Sequence, residues 1–177
     1  MSVADKLDVA RKSFAGSNVA KAVCKATSRE IMGPKKKHVD YLLICTDNEL
    51  KNLTYMSDML LERCAMSSWV IVSKALVTFH SIMSNGNERF FQHLAARTAL
   101  WDLENFLDKT AVIGYDMSSF IKRYSEYLTQ KVQSYREMNY DFCRAKRGPD
   151  GVLRTLDADK LLKALVEVQT QLDSLLA

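Results

Sequence analysis

Trp69-Val70-Ile71-Val72-Ser73-Lys74-Ala75-Leu76-Val77-Thr78-Phe79-His80-Ser81-Ile82-Met83-Ser84 is apolar over most of the circumference that a helix would present. A helix of that kind must be covered on nearly every side, so the stretch reads as the central, buried helix of the domain. Ser67 or Ser68 supplies its N-cap, and Asn85-Gly86 closes it in the manner of a left-handed cap. The near-continuous apolar block around Trp69–Val72 falls well short of the ~18 residues that a membrane-spanning helix needs.

Outward from this centre the pattern is helix after helix. Towards the C-terminus, Asn87 starts a helix with Phe90, Phe91, Leu94 and Ala95 facing inward, and a short helical piece follows around Trp101–Leu107. Asp116 caps a long helix to about Ala145, with Phe120, Ile121, Tyr124, Leu128, Tyr135, Met138 and Phe142 as its stripe. The turn Arg147-Gly148-Pro149-Asp150-Gly151 ends it, and Asp157 caps a last helix carrying Leu161, Leu162, Leu165, Val168, Leu172 and Leu175. That unrelieved stripe implies a missing neighbour, so further C-terminal helices are expected to cover it.

Towards the N-terminus, Leu53, Met56, Leu60 and Cys64 mark one helix, and the run from Lys35 opens another through about Cys45, with Val39, Leu42 and Leu43 on its apolar side. Val19, Ala22, Val23 and Ala26 form the buried face of a helix capped by Ser17, whose other side aligns Lys21, Lys25 and Arg29. Val3, Leu7, Ala10 and Phe14 make a short amphipathic segment over residues 2–14, which can pack on the domain, fray, or lie in a membrane interface. No strand signal appears, and short loops join the helices. The fold class is therefore all-α, an irregular stack or solenoid of about eight helices in one domain over residues 1–177.

Charge is unevenly distributed. Residues 1–38 hold nine Lys/Arg against three Asp/Glu, while the other 139 residues hold sixteen against eighteen. One basic end suits an anionic membrane surface or a nucleic acid. Catalysis finds no residue set: His38, His80 and His93 lack metal-ligand spacing, with His80 read as a satisfied core residue and His93 as helix surface. Phosphate loops, nucleophile elbows and paired carboxylates are missing, so neither metal nor cofactor is expected. Cys24, Cys45, Cys64 and Cys143 are scattered and read as free thiols, and the aromatics around Tyr124 fall at core spacing rather than as a stacking surface for bases.

The basic end is most concentrated in Gly33-Pro34-Lys35-Lys36-Lys37-His38. In a regular helix Lys35 and Lys37 point about 200° apart, whereas residues two apart in an extended segment share a side. The cluster becomes one site only if the helix begins at Lys36 or Lys37, with Lys35 still in the turn, Lys36 pointing elsewhere and His38 in the first turn. Lys25, ten residues earlier at the end of the preceding helix, can then join Lys35, Lys37 and His38 around a compact polyanion, with Lys21 and Lys36 peripheral. Inositol phospholipid headgroups need a cluster of this kind. A helical scaffold whose basic end binds nucleic acid is the alternative reading.

These residues resemble the ANTH domain of the clathrin assembly proteins, the CALM-type endocytic adaptors. The likeness rests on Val23-Cys24-Lys25-Ala26-Thr27, Gly33-Pro34-Lys35-Lys36-Lys37-His38, Ser68-Trp69-Val70-Ile71-Val72, Asn85-Gly86-Asn87-Glu88-Arg89-Phe90, Gly114-Tyr115-Asp116-Met117-Ser118, Lys146-Arg147-Gly148 and Gly151-Val152-Leu153-Arg154. The resemblance implies a right-handed helical solenoid, a monomer, that binds phosphatidylinositol 4,5-bisphosphate on the inner plasma membrane at clathrin-coated pits. It implies headgroup contacts from Lys25, Lys35, Lys37 and His38, and membrane insertion of the first segment through Val3, Leu7 and Phe14. It also implies no cofactor, no nucleic acid, and contacts with clathrin and the adaptor complex through a tail beyond Ala177. SNARE binding is not expected of this chain, because in the family it belongs to later helices.

Overall fold

The computed structural model describes residues 18–47 and 50–176, and the regular secondary structure among them is helical, with no strand. Eight helices follow one another among them: α1 (Asn18–Ala26), α2 (Lys36–Cys45), α3 (Leu50–Cys64), α4 (Trp69–Asn85), α5 (Glu88–Ala95), α6 (Val112–Met138), α7 (Val152–Thr155) and α8 (Ala158–Leu176). The all-α class and the helix number expected from the sequence hold. Ser17 and residues 2–14, with Val3, Leu7 and Phe14, lie outside the described residues. The chain divides into two compact units, residues 1–122 and 123–177.

In the first unit α4 is the central element, packed against α1, α2, α3 and α5. Its Ile71, Val72, Ala75, Leu76, Phe79, Ile82 and Met83 have no solvent exposure at all. Burying each large side chain among them contributes roughly 1.5–3 kcal/mol. Phe79 lies 6.3 Å from Phe90 of α5 and 5.2 Å from Trp101, ring centre to ring centre. The stripe Leu53, Met56, Leu60 and Cys64 of α3 is buried, as are Val19, Ala22, Val23 and Ala26 of α1.

Several ends differ from expectation. Ser68 stands at the N-cap of α4 but its hydroxyl makes no capping bond. The carboxylate of buried Asp108 takes that role, accepting from the Trp69 N–H at 2.8 Å and from the Thr110 N–H and hydroxyl. Burial works against the ionised form, yet these three donors hold the Asp108 carboxyl below the usual range. Gly86 is extended, at φ −79° and ψ −179°, not left-handed. It is needed for closeness, since a Cβ there would sit 2.7 Å from the Ile82 carbonyl oxygen. Asn87 caps α5 as expected, accepting from the Arg89 N–H at 3.0 Å.

Trp101–Leu107 forms no helix, only a turn within an irregular segment. That segment is tied to α6 instead: Ser118 donates to the Gly114 carbonyl and accepts from the Asp108 N–H. The anchoring starts α6 at Val112, four residues before Asp116, and leaves Phe120 54% exposed rather than in the core. The helix stops at Met138, well short of Ala145, because Asn139 turns left-handed at φ 59°.

In the second unit the reversal at Asn139 brings Asp141 onto Lys131, and both side chains are buried in one ion pair. Leu128, Val132, Tyr135 and Ala164 form the apolar centre. Asp157 caps α8 by accepting from the Lys160 N–H at 2.9 Å. Of α8 only Ala164 and Gln171 are buried. Leu161, Leu162, Leu165, Leu172 and Leu175 stay about half exposed, so nothing among the described residues covers the stripe.

Replacing Asp108 by Ala removes the cap of α4 and strands two backbone donors. A loss of about 2 kcal/mol is expected in chemical unfolding, with Ser68→Ala near neutral by the same measurement.

Candidate functional site

The basic site begins with a loop that two buried cations hold from below. As α1 ends, Arg63 of α3 donates from Nε to the Thr27 hydroxyl and from Nη2 to the Thr27 carbonyl, both at 2.8 Å. Lys74 of α4 donates from Nζ to the carbonyls of Ser28 and Glu30, each at 2.9 Å. Arg63 and Lys74 are both almost wholly buried. A charge-assisted bond to a carbonyl is stronger than a neutral one, so residues 27–30 are fixed although they carry no secondary structure. Sequence reasoning passed over both cations. Lys74 left a signal, as a lone lysine inside the apolar run of α4.

Past Gly33-Pro34 the backbone of Lys35 is extended, at φ −65° and ψ 116°, and α2 begins at Lys36. This is the geometry that a single site requires. The Lys35 carbonyl accepts from the His38 N–H at 2.9 Å, which places His38 in the first turn. Lys36 turns away and pairs with Asp40 one turn on, at 2.7 Å. Lys37 is exposed, with no ion-pair partner among the described residues.

His38 reports the convergence. It is half-buried, and burial is the first cause of a proton affinity below the ordinary histidine value. The next causes, in order, are the charges of Lys25, Lys37 and Lys35. Three ammonium groups from two helices and one turn therefore act on one imidazole, and the four residues singled out by sequence lie together. Neither Lys21 nor Lys36 is among the charges acting on it. Arg29 lies beyond the end of α1 and so does not extend the Lys21–Lys25 row.

One acidic group enters the cluster unforeseen. Glu30 pairs with Lys35 at 2.8 Å, and that contact is the main cause holding the Glu30 carboxyl down to about 2. The site thus carries its own counter-ion on Lys35, while among the described residues neither Lys25 nor Lys37 is in an ion pair. Such a surface attracts a compact anion through point charges and the unpaired N–H groups of the first turn of α2.

Of the other histidines, His80 is half-buried in α4 rather than fully in the core. His93 is half-buried and lies 3.1 Å from the Ser57 hydroxyl, so it is less exposed than a surface reading expects. Among the described residues no group of His, Cys, Asp or Glu is arranged to hold a metal ion, and no helix is long and apolar enough to cross a membrane. Tyr127 and Tyr135 are buried, and Tyr124 stacks on Tyr127 at 6.4 Å, in keeping with core roles.

The electrostatic grouping is checked by histidine titration in NMR. His38 is expected to titrate below the free value of ~6.5, and Lys25→Met should raise its midpoint. Lys21→Met, by contrast, should leave that midpoint where it was.

Comparison with known proteins adds a second line. The family model described as "ANTH domain" matches residues 18–177. The chain is 53% identical over 175 residues to the phosphatidylinositol-binding clathrin assembly protein of Rattus norvegicus, covering 99% of this chain and 27% of that protein. It is 55% identical over 172 residues to the clathrin coat assembly protein AP180 of Homo sapiens, covering 97% of this chain and 19% of the relative. Against the phosphatidylinositol-binding clathrin assembly protein LAP of Drosophila melanogaster the identity is 48% over 184 residues, covering 97% and 39%. The chain therefore spans between about a fifth and two fifths of these relatives. With the family model matching nearly all of it, from the first described helix to the last residue, this chain belongs to the ANTH domain family.

Proposed function

We propose that this ANTH domain is a non-catalytic membrane-binding module that holds the phosphatidylinositol 4,5-bisphosphate headgroup on the inner plasma membrane through Lys25, Lys35, Lys37 and His38. The observation that carries the reading is the start of α2 at Lys36, which leaves Lys35 extended in the turn, Lys37 exposed and His38 in the first turn, with the charges of Lys25, Lys37 and Lys35 all reaching His38. Each basic residue near an anionic surface contributes on the order of 1 kcal/mol, so the cluster gives reversible binding. Lys36, paired with Asp40, and Lys21 stand at the margin. By kinship with the clathrin assembly proteins, the bound domain serves endocytosis at coated pits, and clathrin and adaptor contacts belong to other parts of a longer protein.

His38 gives the binding a direction with pH. A bound phosphate favours the imidazolium, so the depressed proton affinity of His38 rises on binding and a proton is taken up. The contribution of this residue therefore grows as pH falls through its proton affinity in the bound state and levels off below that of the free state. It is isolated as the difference between the parent and His38→Asn, since phosphate itself titrates near ~6.

Sedimentation with vesicles containing or lacking the bisphosphorylated lipid tests the site. Lys35→Glu with Lys37→Glu should weaken lipid-dependent binding by about thirtyfold or more. Unchanged binding would remove the assignment, and a preference for DNA over an inositol polyphosphate of equal charge would favour the nucleic-acid reading. Glu30→Gln, which releases Lys35 from its counter-ion, should tighten binding of a soluble inositol polyphosphate a few-fold in calorimetry.

A further inference from the structure

Ile31 and Met32 stand 74% and 67% exposed between the clamped residues 27–30 and the lysine turn. Large apolar side chains on a mobile tail would be unremarkable, but this pair sits on a fixed base. Lys74 holds the Glu30 carbonyl from below, and the same carbonyl accepts from the Met32 N–H at 2.8 Å, closing a tight turn that projects Ile31. Gly33 and Pro34 follow, and then Lys35 and Lys37. Beneath the pair a cleft of about 260 Å³ runs between Ile31, Met32, Pro34, Trp69 and Val77, so the exposed apolar surface continues past the two tips.

We infer that Ile31 and Met32 are a membrane wedge, entering the acyl layer of an anionic bilayer beside the headgroup held by the lysine cluster. This rests on the headgroup reading above. Charge decides the occupant: an apolar tip three residues from Lys35 and five from Lys37 meets both faces of a negatively charged interface, where apolar burial and basic residues add. A purely apolar protein surface would leave those ammonium groups facing nothing. The clamp on residues 27–30 keeps tip and cations at a fixed offset, so phosphate binding and insertion occur in one docking event.

The experiment compares the parent, Ile31→Ser with Met32→Ser, and Lys35→Glu with Lys37→Glu, against both vesicles of anionic lipid containing the bisphosphorylated headgroup and soluble inositol hexakisphosphate. The apolar double variant should lose about tenfold in vesicle affinity, one factor of ten per ~1.4 kcal/mol, and keep its affinity for the soluble anion. The charge-reversal variant should lose both. A second readout places an environment-sensitive fluorophore on Met32→Cys in a Cys143→Ser background, since the other three cysteines are buried. Its emission should shift to the blue on vesicles and be quenched by lipids carrying a nitroxide in the upper acyl chain. Parental vesicle affinity in the apolar variant, absence of quenching, or equal loss towards the soluble anion would each overturn the wedge while leaving the headgroup site standing. Parental binding by the charge-reversal variant would instead overturn the headgroup reading.

Discussion

Two buried cations reaching up to the backbone of one loop are the constraint on which the working end of this protein depends. Arg63 and Lys74 come from neighbouring helices and bond the carbonyls of Thr27, Ser28 and Glu30. Buried carbonyls without partners would each cost about 1–3 kcal/mol. With these partners, a segment that lies beyond the last turn of α1 is held to the neighbouring helices. The end of α1, carrying Lys25, the turn residue Lys35 and the start of α2, carrying Lys37, then keep a set distance.

The surface built on that base is electrostatically strained by design of its sequence. Burial, and after it the like charges gathered around His38, depress its proton affinity, while Glu30 relieves Lys35 and Asp40 relieves Lys36. The two relieved lysines differ in consequence. Lys36 is diverted along its own helix, whereas Lys35 remains beside Lys37, with a carboxylate that an incoming phosphate has to displace. Exposed ion pairs are weak, so that displacement is easy.

How much was legible in the sequence follows the range of the interactions. The central helix could be read because its apolar run has one interpretation at helical period, and Phe79, Ile82 and Met83 are buried as that pattern requires. The placement of Lys35 outside α2 was legible too, since Gly33-Pro34 interrupts the chain and only a late helix start lets Lys35 and Lys37 share a side. What could not be read were partners fixed by tertiary contact. Asp108 caps a helix thirty-nine residues away, and its bond network moves the start of α6 and turns Phe120 outward. Gly86 carried the signature of a left-handed cap, yet its need for glycine comes from the Ile82 carbonyl that its own chain presses against it. Arg63, Lys74 and Glu30 were hidden for the same reason: a charged residue announces its charge in sequence, not its partner.

The clamp also sets the polarity of the loop's peptide units. In a trans peptide the carbonyl and the N–H point in opposite directions, and no peptide bond in the described residues is cis. Drawing the carbonyls of Thr27, Ser28 and Glu30 inward onto ammonium and guanidinium groups turns the N–H ends of the same units away from the core. Each unit carries a dipole of about 3.5 D. The loop is thereby poled during folding, with the positive ends of these units set outward, and the field that it presents needs no further reorientation.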